Sequence, residues 1–322
     1  MTNKSAALGI ALLLLAASAR VSAQETAVPS PVTDWSNEVV TVTARMPGPV
    51  LWRVSNGDTE VWLFGEVGRV PKDLAWDDVR VQRLMTHTRK VLFPAQAETG
   101  FFSGMWMLLT GFDDLKLPDG EKLESELPEP LRQRFVAART AIHRDADRYA
   151  DYLPAWAGIR LYNDFASAEG FTGDAPFRTL RRLADKQDVP VEPIAVYEGN
   201  KILKEIPRLS KQASLDCLKN ALDDIDNMSR HQAAAAKAWA EGDLPAIEAN
   251  YSEPTLSACL QQSKTFSSLW QRNVDDTVAA VTKALDRREN TIIVLSYGTL
   301  LRRQGVLDRL KASGLTIESP EQ

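Results

Sequence analysis

The chain has 322 residues, 44% of them hydrophobic, which is enough to bury one large core or a core with a helical insertion. Its 38 basic and 43 acidic side chains give a formal net charge of −5 with no basic stripe, which argues against nonspecific nucleic-acid binding, because that affinity needs clustered positive charge. Two cysteines and three histidines leave little material for a metal site of the usual kind.

The amino terminus reads as a processing signal. Lys4 precedes an apolar run over residues 6–17, and Val21-Ser22-Ala23 has the small-residue spacing that signal peptidase requires. The expectation is a signal peptide over residues 1–23, cleaved after Ala23, and a periplasmic or secreted protein. The run is too short to span a bilayer and no lipobox cysteine follows, so no integral membrane segment is expected after cleavage. Residues 24–46 are a polar leader containing Pro29 and Pro31, with β-rich residues 38–43 as a candidate edge strand.

One domain is expected over residues 47–318, followed by a tail over 319–322. Ser55-Asn56-Gly57-Asp58 is turn chemistry between two aromatic and β-branched runs, residues 51–54 and 60–64, and predicts a β-hairpin. Val79, Val81, Leu84 and Met85 predict a helix within residues 77–88, which returns the chain to a strand starting at Val91. Helical patterns then dominate residues 101–190, read as an insertion. Within it, Leu131, Phe135, Ala138 and Ile142 share one helical face, and Ile159, Tyr162 and Phe165 another. The apolar segment 101–112, FFSGMWMLLTGF, suits a helix packed in the core; its alternative is a Met-rich surface that grips peptides or a membrane interface.

A helix over 176–186 leads to a short β segment at 189–194, limited by Pro190 and Pro193. Further on, apolar positions from Phe266 to Leu285 fall near one face of a long helix, with Arg272 and Asn273 at its boundary. A buried strand at 292–295, a helix at 306–313 and a last strand at 315–317 close the chain. The fold class is therefore α+β, with a central mixed sheet built from N- and C-terminal strand-and-helix units and a large helical middle. In an oxidising compartment, Cys217 and Cys259 are expected to bridge; two buried thiols are the alternative.

The second hairpin strand runs into Gly65-Glu66-Val67-Gly68, followed by Pro71-Lys72 and a helix. This opening resembles the TraB/GumN family, relatives of the Tiki-type metal-dependent peptidases. So do Trp239-Ala240-Glu241-Gly242-Asp243-Leu244, Trp270-Gln271-Arg272-Asn273, and the closing segment from Gly305-Val306-Leu307 to Glu318. The resemblance implies a Gly-Thr-x-His motif whose histidine binds metal; here Gly65 matches, Glu66 replaces threonine and Gly68 replaces histidine. The family's acidic positions after the next strand fall on Pro94 and Gln96. Its second Gly-x-x-His-like motif falls on the segment containing Gly298, with Thr299 at the histidine position.

Every usual ligand position has thus lost its donor, so no metal, no cofactor and no catalytic residue are expected. The remaining histidines, His87, His143 and His231, lie in three separate helical patterns. There is no Gly-x-Ser-x-Gly elbow, Walker loop, dinucleotide fingerprint or EF-hand loop. Glu66 either replaces a ligand or acts as a base, or it is a solvated turn residue. Arg272 and Asn273 either hold a chain terminus or acidic ligand, or pair within the helix packing.

The expectation for function is an exported pseudoenzyme that binds a peptide, an envelope component or a partner protein in the family cleft. Two alternatives stand beside it. One is a peptidase-like hydrolase with substitute ligands or no metal; the other is an interaction protein using residues 101–112.

Overall fold

The computed structural model describes residues 48–98, 113–199, 204–255, 259 and 264–318. The expected signal peptide, the leader with its edge strand, the apolar segment 101–112 and the tail lie outside the described residues.

The hairpin forms where turn chemistry separates two apolar runs. Strand β1 (Leu51–Ser55) pairs antiparallel with β2 (Glu60–Glu66), in a register that sets Leu51 opposite Phe64 and Ser55 opposite Glu60. Strand β3 (Val70–Pro71), helix α1 (Val79–Met85), β4 (Lys90–Phe93) and β5 (Gln96–Glu98) follow. Next come helices α2 (Leu123–Glu126), α3 (Glu129–Ala141) and α4 (Pro154–Ala168), then β6 (Phe171–Thr172), α5 (Ala175–Asp185), β7 (Val191–Pro193) and β8 (Val196–Glu198).

Helix α6 (Lys211–Asn227) passes through a π-helical turn (Met228–Gln232) into α7 (Ala233–Glu241), and α8 (Leu244–Asn250) follows. The long helix α9 (Lys264–Asp286) leads to β9 (Thr291–Ser296), α10 (Tyr297–Leu301), α11 (Val306–Ala312) and β10 (Thr316–Glu318).

Six strands form one mixed sheet in the order β10-β1-β2-β9-β4-β7, so both ends of the described chain contribute, in an α+β arrangement. The strands β2, β9, β4 and β7 are mutually parallel, and β1 is antiparallel to both of its neighbours. Strand β9 occupies the middle, and its Ile292, Ile293, Val294 and Leu295 are all buried, as expected of a parallel strand covered on both faces. Strand β7 is short, as its prolines suggest in the sequence. Pro94 ends β4, and the ladder resumes past it as a short parallel pair of β5 with β8.

Connectivity sets up a crevice. After β4 the chain proceeds to β7 on one side, whereas after β9 it passes through α10 and α11 to β10 at the opposite edge. The carboxyl ends of β9 and β4 therefore flank a topological switch point, where open α/β sheets place their ligands.

Two larger apolar clusters fill the interior. One surrounds the sheet and takes in α5 (Leu180, Leu183, Ala184), α7 (Trp239) and α9 (Val274, Val281). The other lies among the helices, where α3 and α4 pack on α6 through Phe135, Leu161, Phe165, Leu218 and Leu222. Cys217 and Cys259 form a disulfide with Cα atoms 5.1 Å apart, at the centre of a small third cluster with Leu115, Ala155 and Ile206. Among the described residues no helix is long and apolar enough to cross a membrane.

Candidate functional site

The carboxyl ends of the parallel strands surround a cavity of about 200 Å³, lined by Glu66, Pro94, Ala95, Ile194, Tyr197, Asn273, Thr277, Leu295, Ser296 and Thr299. Each lining group is placed by its element. Glu66 is the last residue of β2 and pairs with Ser296 at the end of β9; Pro94 follows β4; Ile194 follows β7. Asn273 and Thr277 are one turn apart on α9, where the Thr277 hydroxyl donates to the Asn273 backbone carbonyl at 2.7 Å. Ser296 caps α10, its Oγ accepting from the Thr299 backbone N–H at 3.1 Å and its hydroxyl donating to Thr299 Oγ1 at 3.0 Å.

Glu66 is buried, with 8% of its surface exposed. The expectation of a solvated turn residue is therefore corrected. The local pattern ends the strand at Phe64, but β2 continues through Gly65 and Glu66 because these residues pair with Leu295 and Ser296, a partner remote in sequence. The Glu66 carboxyl accepts a hydrogen bond from the Gly68 backbone N–H. Burial holds its pKa above the ordinary carboxyl range, and the Gly68 bond offsets this only in part.

Two tyrosines sense that carboxyl. Burial raises the phenols of Tyr251 and Tyr297, and the Glu66 charge raises both further. The Tyr251 hydroxyl accepts from the Gly298 backbone N–H at 3.3 Å. Glu253, also raised by burial, pairs with Arg302 at 3.0 Å and packs against Gly298.

The turn after β2 is held from outside the sheet. Trp239 Nε1 donates to the Gly65 carbonyl at 2.8 Å, and Gln232 Nε2, from the π-helical turn, donates to the carbonyls of Val67 (3.1 Å) and Arg69. The Trp239-to-Leu244 motif thus has a structural role. Gly242 ends α7, and the Asp243 side chain caps α8 by accepting from Ala246 N at 3.2 Å.

Most of the motif positions named from the sequence fall in one neighbourhood. Glu66, Pro94, Asn273 and Thr299 line the cavity. Gly65 lies in β2 beneath the rings of Tyr297 and Trp52, and Gly68 supplies the N–H on the Glu66 carboxyl. Arg272 does not line the cavity; its guanidinium lies 5.2 Å from the centre of the Tyr197 ring, which does. Gly298 sits behind Thr299 against Glu253. Gln96 is exposed in β5, pointing to no shared site.

Sequence reasoning missed Tyr197, Thr277, Tyr251 and Glu253. The first two lie one turn or one short strand from positions that were singled out, and the others belong to a loop with no regular pattern.

The cavity lining offers one carboxyl and no imidazole or thiolate. Among the described residues no group of three or more His, Cys, Asp and Glu could hold a metal ion. A catalytic zinc needs three such donors and an open position, so these residues do not fit the metal that the resemblance implies.

A model of the TraB/PrgY/gumN family matches residues 50–319. No curated protein and no solved structure matches the chain.

Proposed function

The chain belongs to the TraB/PrgY/gumN family, and from that premise we propose that it is a non-catalytic, exported member that binds a peptide, an envelope component or a partner protein in the family cleft. One observation carries the proposal. Four residues that the resemblance singles out, Glu66, Pro94, Asn273 and Thr299, line a cavity at the switch point of the sheet, yet they bring to it a carboxyl, an amide, a hydroxyl and a proline ring. Such a lining can orient a ligand through hydrogen bonds. It lacks the deprotonated donors that a divalent transition metal requires.

Export rests on the amino-terminal sequence and agrees with the disulfide, since such bonds persist mainly in oxidising compartments. Cleavage after Ala23 is the corresponding site.

Metal content and hydrolysis test the proposal together. Full chain purified from its native compartment is expected to carry zinc and manganese far below one equivalent and to cleave peptides and esters no faster than its Glu66→Gln variant. Near-stoichiometric metal, with hydrolysis lost on Glu66→Gln, would establish a hydrolase with substitute ligands instead. Filling the cavity by Ala95→Trp should abolish ligand capture while leaving the fold intact.

A further inference from the structure

The chemistry around Glu66 narrows the ligand class, resting on the cleft reading just given. The carboxyl is more than nine-tenths buried and lines the cavity. Its hydrogen-bond partner is a backbone N–H, that of Gly68, and among the described residues no cationic side chain pairs with it. Among the described residues the Glu66 charge raises the phenols of Tyr251 and Tyr297, and Glu253 also raises Tyr251. Arg302, the cation of this cluster, pairs with Glu253 and stacks over Trp270. Arg272 is placed on the Tyr197 ring. Burial raises the cost of ionising this acid, and a cation bound beside it would offset that cost.

We propose that the cavity is a receptor for a primary alkylammonium group, such as a lysine side chain of a bound peptide, with Glu66 as its counter-ion. The remaining walls suit that group. Asn273, Ser296, Thr299 and Thr277 present amide and hydroxyl oxygens that can accept from the two further N–H bonds of an ammonium. Pro94, Ala95, Ile194 and Leu295 supply an apolar lining for a methylene stem. An anionic ligand would meet an acid without compensating positive charge, and a cavity of about 200 Å³ admits a single side chain.

The test uses the full chain and three capped tripeptides, with lysine, norleucine or arginine between two glycines, titrated by calorimetry at neutral pH. The lysine peptide should bind about tenfold tighter than the norleucine peptide, and Glu66→Gln should erase that difference. Glutamine preserves the volume and an acceptor for the Gly68 N–H, so the fold should persist; should it fail, the lysine-to-norleucine comparison in the parent chain still decides.

Equal affinities in the parent, a lysine preference surviving in Glu66→Gln, or an arginine peptide matching lysine would each overturn the assignment. Equal lysine and norleucine binding, both lost in Ala95→Trp, would sink the ammonium assignment but keep the cleft reading. A metal-loaded hydrolytic protein that retained the lysine preference would do the reverse.

Discussion

Gly65 and Gly68 are fixed by two different constraints, one of space and one of backbone conformation. A Cβ on Gly65 would lie 3.0 Å from the Tyr297 ring and 3.1 Å from Trp52, so the strand packs directly against two aromatic rings whose centres are 5.8 Å apart. Gly65→Ala is expected to destabilise by about 1–3 kcal/mol through overpacking, read from the midpoint of chemical denaturation at unchanged slope. At Gly68 the constraint is conformational. Its φ of +80° is one that side-chain-bearing residues rarely adopt, although the space beyond it is open. Gly68→His should therefore cost about 1–2 kcal/mol in backbone strain, and equilibrium dialysis should show no gain in zinc affinity, because a single imidazole beside Glu66 still falls short of three donors. That glycine stands at position 68, where the resemblance places a histidine, is read directly from the sequence. Neither the left-handed backbone of Gly68 nor the burial of Glu66, which pairs with Ser296 of β9, could be read locally.

Elements with a strong period were legible, and those without one were not. The hairpin, α3, α4, α5, α9 and β9 all lie within a few residues of where apolar spacing and turn residues put them. The pairs β3 with β6 and β5 with β8 went unseen, since two- or three-residue strands carry no alternation and exist only through their partners. The π-helical turn that brings Gln232 to the β2 turn has no sequence signature either. Cysteine arithmetic found the bridge. Cys217 and Cys259 are 42 residues apart, so reduction should lower stability by about 4 kcal/mol in the chain-entropy account, visible as a reduced denaturation midpoint in dithiothreitol. The same loss in a Cys217→Ala, Cys259→Ala double variant would assign it to the bridge itself. The disulfide encloses α7 and α8, so the element that donates to the Gly65 carbonyl should loosen first, and amide exchange in α7 is expected to rise on reduction.

At the scale of the whole molecule, two acids near the cavity make stability depend on pH in a definite direction. Burial raises Glu66 and Glu253, so the folded state holds their protons in a window where the unfolded chain has released them. Stability supplied by these groups is fully present below the unfolded carboxyl pKa and is lost as pH rises through the folded values. Unfolding midpoints measured from acid to neutral pH should accordingly show this loss in the parent chain, and Glu66→Gln should reduce it while raising stability at neutral pH. An unchanged profile in that variant would mean Glu66 is solvated. Sheet order was the least legible feature at this scale. The composition and the two terminal units imply a mixed sheet, yet nothing in either unit specifies that β9 enters between β2 and β4.

That insertion has a consequence for biogenesis. Until Thr291 to Ser296 have left the ribosome, the β1–β2 hairpin and the β4–β7 pair have no strand to join them, and each exposes an apolar border. The keystone is synthesised after β1, β2, β4 and β7, so the nascent polypeptide cannot seal its sheet before then. A fragment ending before Thr291 should aggregate rather than form a smaller folded body.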